Sequence, residues 1–221
     1  MNKRNLYILI TIVITLWLQS GCGKSTHPQA SVQQLTPELV AEAKSNAEML
    51  FAQRKDLSKL RDAIGMLSKA RNPDSRDFEV EWKFARYNYF LGRHTSDEKE
   101  AEAVFNIGKD AAKIASNMEP QKPDGHFWFA ANLGEICKKS PITVGLRSVG
   151  DVQESMKKVI ELQPDYQGAS AYDGLAQIEL GTRLKGGSAE KAVEYLEKAL
   201  SIENNNTNLN AFSWEWLKNE R

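Results

Sequence analysis

The feature that most constrains the fold is a series of helical segments that end at regular intervals along the chain. Three such segments end at Pro120, Pro164 and Asn204, so their ends are separated by 44 and 40 residues, and "LSKARNP" at Pro73 adds a weaker earlier copy. Proline has no backbone N–H and clashes with the preceding turn, so a helix does not continue through it. Regular spacing of this kind is typical of stacked helix pairs, each of which buries its apolar face against the next pair.

The members of successive pairs also resemble one another. Each first helix carries an aromatic residue three positions before a small or aliphatic one: Trp82 and Ala85, Trp128 and Ala131, Tyr172 and Leu175. The last second helix, "AEKAVEYLEKALSI", has a small-large-small stripe of Ala192, Leu196 and Ala199. Strand signals, namely alternating runs bounded by hairpin turns, are nearly absent. The sequence therefore predicts an all-α fold, a helical repeat array of antiparallel pairs that resembles the tetratricopeptide repeat (TPR), with insertions at "SPITVGLRSVG" and "TRLKGGS".

The N-terminus has the composition of a secretory signal. Lys3 and Arg4 precede an apolar run from Leu6 to Leu18, and two small residues follow shortly after it. Cys22 comes next, and a cysteine in this position resembles the lipobox of bacterial lipoproteins, in which the cysteine is lipidated. The alternative is an ordinary signal peptide cut nearby, which leaves Cys22 as a free thiol.

These features divide the chain into three parts. Residues 1–21 are predicted to be a lipoprotein signal peptide, residues 22–35 a flexible tether, and residues 36–221 a TPR-like helical repeat domain. The repeat domain is expected to begin with Thr36 as an N-cap and Pro37 at the first helical position.

The predicted binding surface follows from the stacking of pairs. First helices line the concave inner face of such a stack, and inner faces hold peptides or small ligands. The helical register places the following residues on that face: Val80, Lys83, Tyr87 and Phe90 in one unit, His126, Phe129 and Leu133 in the next, and Ser170, Asp173 and Gln177 in the third. Asn132 lies one step off this row, and its amide would either bond a neighbouring backbone group or reach the ligand. Simple core packing is the alternative for Phe90, Phe129 and Leu133.

From Asp124 to Asn206 the chain resembles the T-component (TatT) family, TPR-like lipoproteins associated with TRAP transporters of small organic acids. The resemblance is carried by the aromatic-rich stretch Trp128 to Gly134 with Ala130 and Asn132, by Leu162, Pro164 and Tyr166, and by the pair Gly186 and Gly187. It implies an accessory protein of a periplasmic uptake system, partnered by a solute-binding protein or a small organic ligand. If the family's organic-acid ligands apply, Lys83 would suit a carboxylate. The lipobox resemblance, with Gly23 rather than Asp after Cys22, implies a lipid-anchored location at the outer membrane facing the periplasm. A scaffold lipoprotein of outer-membrane assembly or of the cell envelope is the alternative function.

Composition and motifs argue against other classes of function. The 29 basic and 29 acidic residues balance, whereas nucleic-acid binding requires a basic face. The three histidines share no metal-ligand spacing, so neither a metal nor another cofactor is expected. "SGCGKST" lacks the opening glycine of a phosphate-binding loop, because Leu18 stands in its place. Without a catalytic constellation, we expect a binding protein rather than an enzyme.

Overall fold

The computed structural model describes residues 35–202, and this part of the chain is helical throughout apart from short connections. The helices are α1 (Pro37–Ala52), α2 (Leu57–Ala70), α3 (Phe78–His94), α4 (Glu98–Met118), α5 (Pro123–Lys139), α6 (Leu146–Leu162), α7 (Ser170–Gly181) and α8 (Ala189–Ile202). A π-helical turn (Pro141–Gly145) precedes α6, and a 3₁₀ turn (Arg183–Lys185) follows α7. The predicted all-α class is confirmed.

Side-chain caps at four helix starts explain where these helices begin. The Thr36 side chain accepts a hydrogen bond from the Leu39 N–H at the start of α1, with Pro37 at the first helical position as predicted. Asp56, Asp77 and Asp97 cap α2, α3 and α4 in the same way. Each such cap satisfies a backbone donor that has no partner in the helix and is worth about 1 kcal/mol.

The helices pack as a stack of pairs. Each helix contacts the next along the chain, and short connections make the neighbours antiparallel. The first helices α3 and α5 also contact each other directly, as expected when one pair stacks on the next. The stripe of Ala192, Leu196 and Ala199 on α8 is buried, as predicted.

Helices α4 and α5 approach so closely that two glycines are required between them. A Cβ atom built on Gly108 would lie 2.4 Å from Oδ1 of Asn132, and one on Gly125 would lie 2.3 Å from the backbone nitrogen of Ser116. Contacts this short do not occur for real side chains, so these positions fix the distance between the two helices.

The predicted loop insertion at residues 140–150 is wrong for most of its length. The chain forms the π-helical turn at Pro141–Gly145 and then enters α6 at Leu146. The glycines and serines of this stretch are poor helix formers, but Val152, Met156 and Val159 are buried along one face of α6. Tertiary burial of that apolar face outweighs the local propensity.

Candidate functional site

A groove runs across the three first helices α3, α5 and α7, and its remaining walls come from the π-helical turn and the start of α6. Its volume is 510 Å³. Sites that hold a ligand or the side chains of a peptide usually measure about 300–1,000 Å³. We call this surface the first-helix groove.

The floor of the first-helix groove is aromatic. Phe127 meets Trp128 edge to face with ring centroids 5.0 Å apart, and Tyr89 lies 5.6 Å from Trp128. Phe90 completes the set at 5.8 Å from Tyr89. Each such pair adds about 0.5–1.5 kcal/mol beyond the area it buries, so the floor is held rigidly.

One end of the groove, where α3 and α5 finish, carries an excess of positive charge. Arg93 Nη1 lies 2.7 Å from Glu135 Oε1, and Lys138 Nζ lies 3.1 Å from the same oxygen. Burial lowers the pKa of Arg93, but the neighbouring Tyr89 and Glu135 outweigh that effect and raise it, so the guanidinium stays charged. Two cations therefore share one carboxylate, which leaves this end attractive to an acidic group.

The opposite wall, formed by α7 and the turn before it, is polar and uncommonly shaped. Asp173, only 6% exposed, accepts a hydrogen bond from Gln177 Nε2 at 2.7 Å. Gln167, Gly168 and Ala169 all adopt left-handed backbone angles, with φ of 49°, 67° and 57°. Such angles cost a non-glycine residue about 1–3 kcal/mol, and strain of this kind is concentrated at binding surfaces.

A second group of cations stacks on aromatic rings behind α3. The Arg86 guanidinium lies 4.5 Å from the Phe51 ring centroid and 6.0 Å from that of Phe90, which lines the groove. The Arg54 guanidinium lies 5.3 Å from the same Phe90 ring centroid. These contacts place further positive charge beside Phe90.

Lys83 and Tyr87, predicted for the inner face, instead lie in the contact between α1 and α3. Lys83 Nζ is 3.0 Å from Glu48 and 2.8 Å from Glu79. The Tyr87 ring is fully buried and stacks on Phe51 at 4.1 Å, while its hydroxyl donates to Glu48 at 2.9 Å. Burial, reinforced by Glu48, raises the pKa of Tyr87. Both side chains stabilise helix packing here.

His126 and Phe129 line a different surface, a wide polar cleft of 980 Å³ between the ends of α4, α5 and α6. His126 Nε2 lies 3.0 Å from the Pro120 carbonyl oxygen. Lys113 Nζ lies 5.2 Å from the Phe129 ring centroid. The structure therefore does not bring these two residues to the first-helix groove.

Asn132 and Leu133 are buried between α3, α4 and α5. Asn132 Nδ2 donates to the Trp128 carbonyl at 2.8 Å and to the Ala85 carbonyl at 3.3 Å. Of the alternatives that the sequence left open for this amide, its nitrogen follows the first, because it bonds neighbouring backbone groups, while the buried Oδ1 has no hydrogen-bond partner among the described residues. Leu133 is 5% exposed and belongs to the core.

Asp173 and Gln177 do line the first-helix groove, together with Phe90 and Ser170. On α3 and α5 the predicted register was out of phase, since the groove is lined there by the C-terminal part of α3 and by the face of α5 that runs from Phe127 to Lys138. Arg93 and Glu135 were missed for this reason. A usable signal was present in the small residues at 130, 131 and 134, which leave a helix surface open.

The described residues include some, but not all, of the other sites that the sequence analysis considered. Across residues 35–202 no group of three or more His, Cys, Asp or Glu side chains could hold a metal ion. In the same range no helix combines the length and apolar character needed to cross a membrane. Cys137 is a free thiol on the groove wall, and burial raises its pKa. Cys22, the predicted lipidation site, lies outside the described residues.

Comparison with known proteins gives a consistent family. The sequence model of a family described as regulator of microtubule dynamics protein 1-3 matches residues 44–175, more than half of the chain. Regulator of microtubule dynamics protein 3 from Rattus norvegicus is 27% identical over 84 residues, and the Mus musculus protein of that name is 26% identical over 84 residues. Each match covers 38% of this chain and 18% of the relative.

The predicted membership of the T-component family is therefore wrong. Part of the pattern that suggested it reflects helix packing, because Trp128 and Ala130 are buried between helices and Asn132 bonds the backbone. Stacked helix pairs of unrelated families share such requirements.

The predictions that depended on an envelope lipoprotein are overturned by the same family match. These are the TRAP accessory function and its cell-envelope scaffold alternative, the periplasmic solute-binding partner and organic ligand, membrane contact through a lipid anchor, and the outer-membrane location.

Proposed function

The chain belongs to the family of regulator of microtubule dynamics proteins 1-3, and from this premise we propose that it is a binding module acting in the regulation of microtubule dynamics. The first-helix groove is the proposed surface for the partner. The chain matches only 18% of the length of its curated relatives, so the proposal concerns this module alone.

One observation carries the proposal: the groove combines a rigid aromatic floor with charges at its rim. Most of its lining lies within the part of the chain that matches the family. Concave surfaces across the first helices of a repeat array are suited to holding an extended segment of another protein.

The proposed ligand is a short protein segment with apolar side chains and an acidic group. Apolar side chains would pack against Tyr89 and Phe90, the two partly buried rings of the floor, because well-packed aromatic contacts supply most of the binding free energy. The acidic group would pair with Arg93 and Lys138, which share the single carboxylate of Glu135. Because the family description names microtubule dynamics, tubulin is the first partner to test.

We propose binding rather than catalysis as the mode of action. The charged groups of the groove serve as ion pairs and hydrogen bonds: Glu135 with its two cations, and Asp173 with Gln177. Groups engaged in this way orient a bound segment and fix its direction.

The test fills the groove without disturbing the fold. Gly134 lines the groove, and a Cβ atom at this position meets nothing within 4 Å. The Gly134→Trp variant of the full chain should therefore fold and place an indole in the space that the partner segment needs. Loss of a central binding contact costs about 2 kcal/mol or more, so the Kd for tubulin should rise by about 30-fold or more.

Gly65 provides the matched control. It is a helical glycine on α2, away from the groove, and a Cβ atom there also meets nothing within 4 Å. Gly65→Trp should leave tubulin binding and microtubule growth rates unchanged. The proposal is wrong if the wild-type chain does not bind tubulin or microtubule-bound proteins, or if the two variants bind equally well.

A further inference from the structure

The segment that follows α8 contains aromatic side chains that match the first-helix groove. We propose that Phe212–Leu217, "FSWEWL", docks into the groove of its own chain and competes with the partner. This inference rests on the proposed function, because it treats the groove as the partner surface. Residues 203–221 lie outside the described part of the chain, so the case is made from the groove, from the end of α8 and from the sequence.

The end of α8 packs close to α7, which forms one wall of the groove. Ile202, its last residue, packs against the small apolar cluster that includes Ala169. Ala169 directly precedes Ser170, and Ser170 and Gln167 both line the groove. The chain therefore leaves the folded array next to α7, the helix that forms one wall of the groove.

The intervening segment is long enough to reach the groove. Nine residues, 203–211, separate Ile202 from Phe212. At about 3.3 Å per residue they span up to roughly 30 Å when extended. Along α5 the groove runs from Phe127 to Lys138, which is roughly 16 Å at about 1.5 Å of rise per residue.

The chemistry of the segment suits the groove. Phe212, Trp214 and Trp216 alternate along the chain, and in an extended backbone alternate side chains point the same way. All three can therefore face the aromatic floor. Ala131 and Gly134 leave the α5 wall open for an indole ring.

Charge also favours this occupant. Glu215 lies among the aromatic residues of the segment. At the end of the groove Arg93 and Lys138 share Glu135, which leaves one positive charge without a matching carboxylate within that triad. Glu215 at the rim supplies it.

The test uses Cys137, a native thiol on the groove wall, as a proximity probe. The full chain carries Cys22→Ser and Ser213→Cys, and it is treated at low concentration with a short bismaleimide crosslinker. The reaction is run at mildly alkaline pH, because burial raises the pKa of the Cys137 thiol. Peptide mass spectrometry then measures the yield of crosslinks within one chain.

A matched control moves the acceptor thiol to the other face. It combines the same tail substitution with Cys137→Ser and Glu154→Cys, since Glu154 is an exposed residue of α6 that lines the wide polar cleft instead of the groove. Reactivity of each thiol towards a single maleimide normalises the two yields.

We expect the crosslink to Cys137 to exceed the control at least fivefold. The double substitution Trp214→Ser and Trp216→Ser, and separately Gly134→Trp, should each reduce it to the control level. Three results would each overturn the proposal: equal yields at the two faces, crosslinks only between two copies of the chain, or a yield that the tryptophan substitutions leave unchanged.

The outcomes separate this inference from the proposed function, because the crosslink is measured without any partner. If the tail crosslinks to Cys137 but tubulin does not bind, the proposed function fails and the docked tail stands. If Gly134→Trp weakens tubulin binding but no tail crosslink forms, the function stands and the tail proposal fails. If both hold, the double tryptophan variant should bind tubulin several-fold more tightly than wild type.

Discussion

Two glycines on α5 provide a quantitative test of how closely α4 and α5 pack. A methyl group at Gly125 would lie 2.3 Å from the Ser116 nitrogen and 2.6 Å from its Cα atom, and both are backbone atoms that no side-chain rotation can move. A methyl group at Gly134 meets nothing within 4 Å. One chemical change on one helix therefore has opposite physical consequences at its two positions.

The expected magnitudes follow from these distances. Gly125→Ala forces α4 and α5 apart by about 1 Å, and overpacking of a core costs about 1–3 kcal/mol. We expect a loss near the upper end, about 3 kcal/mol, because the obstacle is backbone. Gly134→Ala removes the entropic cost of a helical glycine and should stabilise the fold by about 0.5–1 kcal/mol. The two variants should differ by about 3–4 kcal/mol.

Urea denaturation of the full chain, followed by far-UV circular dichroism, measures this difference. The slope of the free energy of unfolding against urea should stay the same in both variants, so that the midpoints report stability directly. A Gly125→Ala protein within about 0.5 kcal/mol of wild type would refute the reasoning. In that case the two helices could separate without loss of core packing.

Two further predictions concern ion pairs. Glu81 is fully buried and pairs with Arg71 at 2.8 Å and with Arg76 at 2.7 Å. Glu81→Gln should therefore lower the free energy of unfolding by about 2–3 kcal/mol in urea denaturation at neutral pH, less than the loss of a fully buried pair because both arginines reach water. A loss below about 0.5 kcal/mol would contradict this. The hydrogen bond from Arg61 lowers the pKa of Glu100 to about 2. The ion pair therefore contributes fully to the free energy of unfolding above the unfolded pKa of 4.5, and this contribution is lost as the pH falls towards 2. Glu100→Gln should flatten the acid limb of the stability profile in that window by less than about 1 kcal/mol, since Arg61 is half exposed, and an unchanged limb would show that the pair contributes nothing.

Local signals in the sequence were sufficient for most of the secondary structure, apart from residues 140–150, and for the order of the pairs. The Thr36 cap and Pro37 mark the start of α1, and the stripe of Ala192, Leu196 and Ala199 marks the buried face of α8. These features act within one turn or one helix face, so they can be recognised without knowing what lies opposite. They determined the all-α class and the pairing of helices.

The position of the first-helix groove depended on contacts between different helices. The periodicity of α3 shows that one side is apolar, but it does not show whether a given residue faces α1, α4 or open space. Lys83 and Tyr87 face α1 because Glu48 and Phe51 pack against them there, whereas Arg93, two turns further along, faces the groove and pairs with Glu135 on α5.

The sequence by itself thus determined the helices and their stacking, because these follow from local propensity, capping and burial of apolar stripes. Only the tertiary structure decided which stretch of each first helix stays uncovered. That depends on how one helix is set against the next, as in the α4–α5 distance set by Gly108 and Gly125 and in the left-handed turn between α6 and α7. A groove is the space that packing leaves unfilled, and no single helix encodes it.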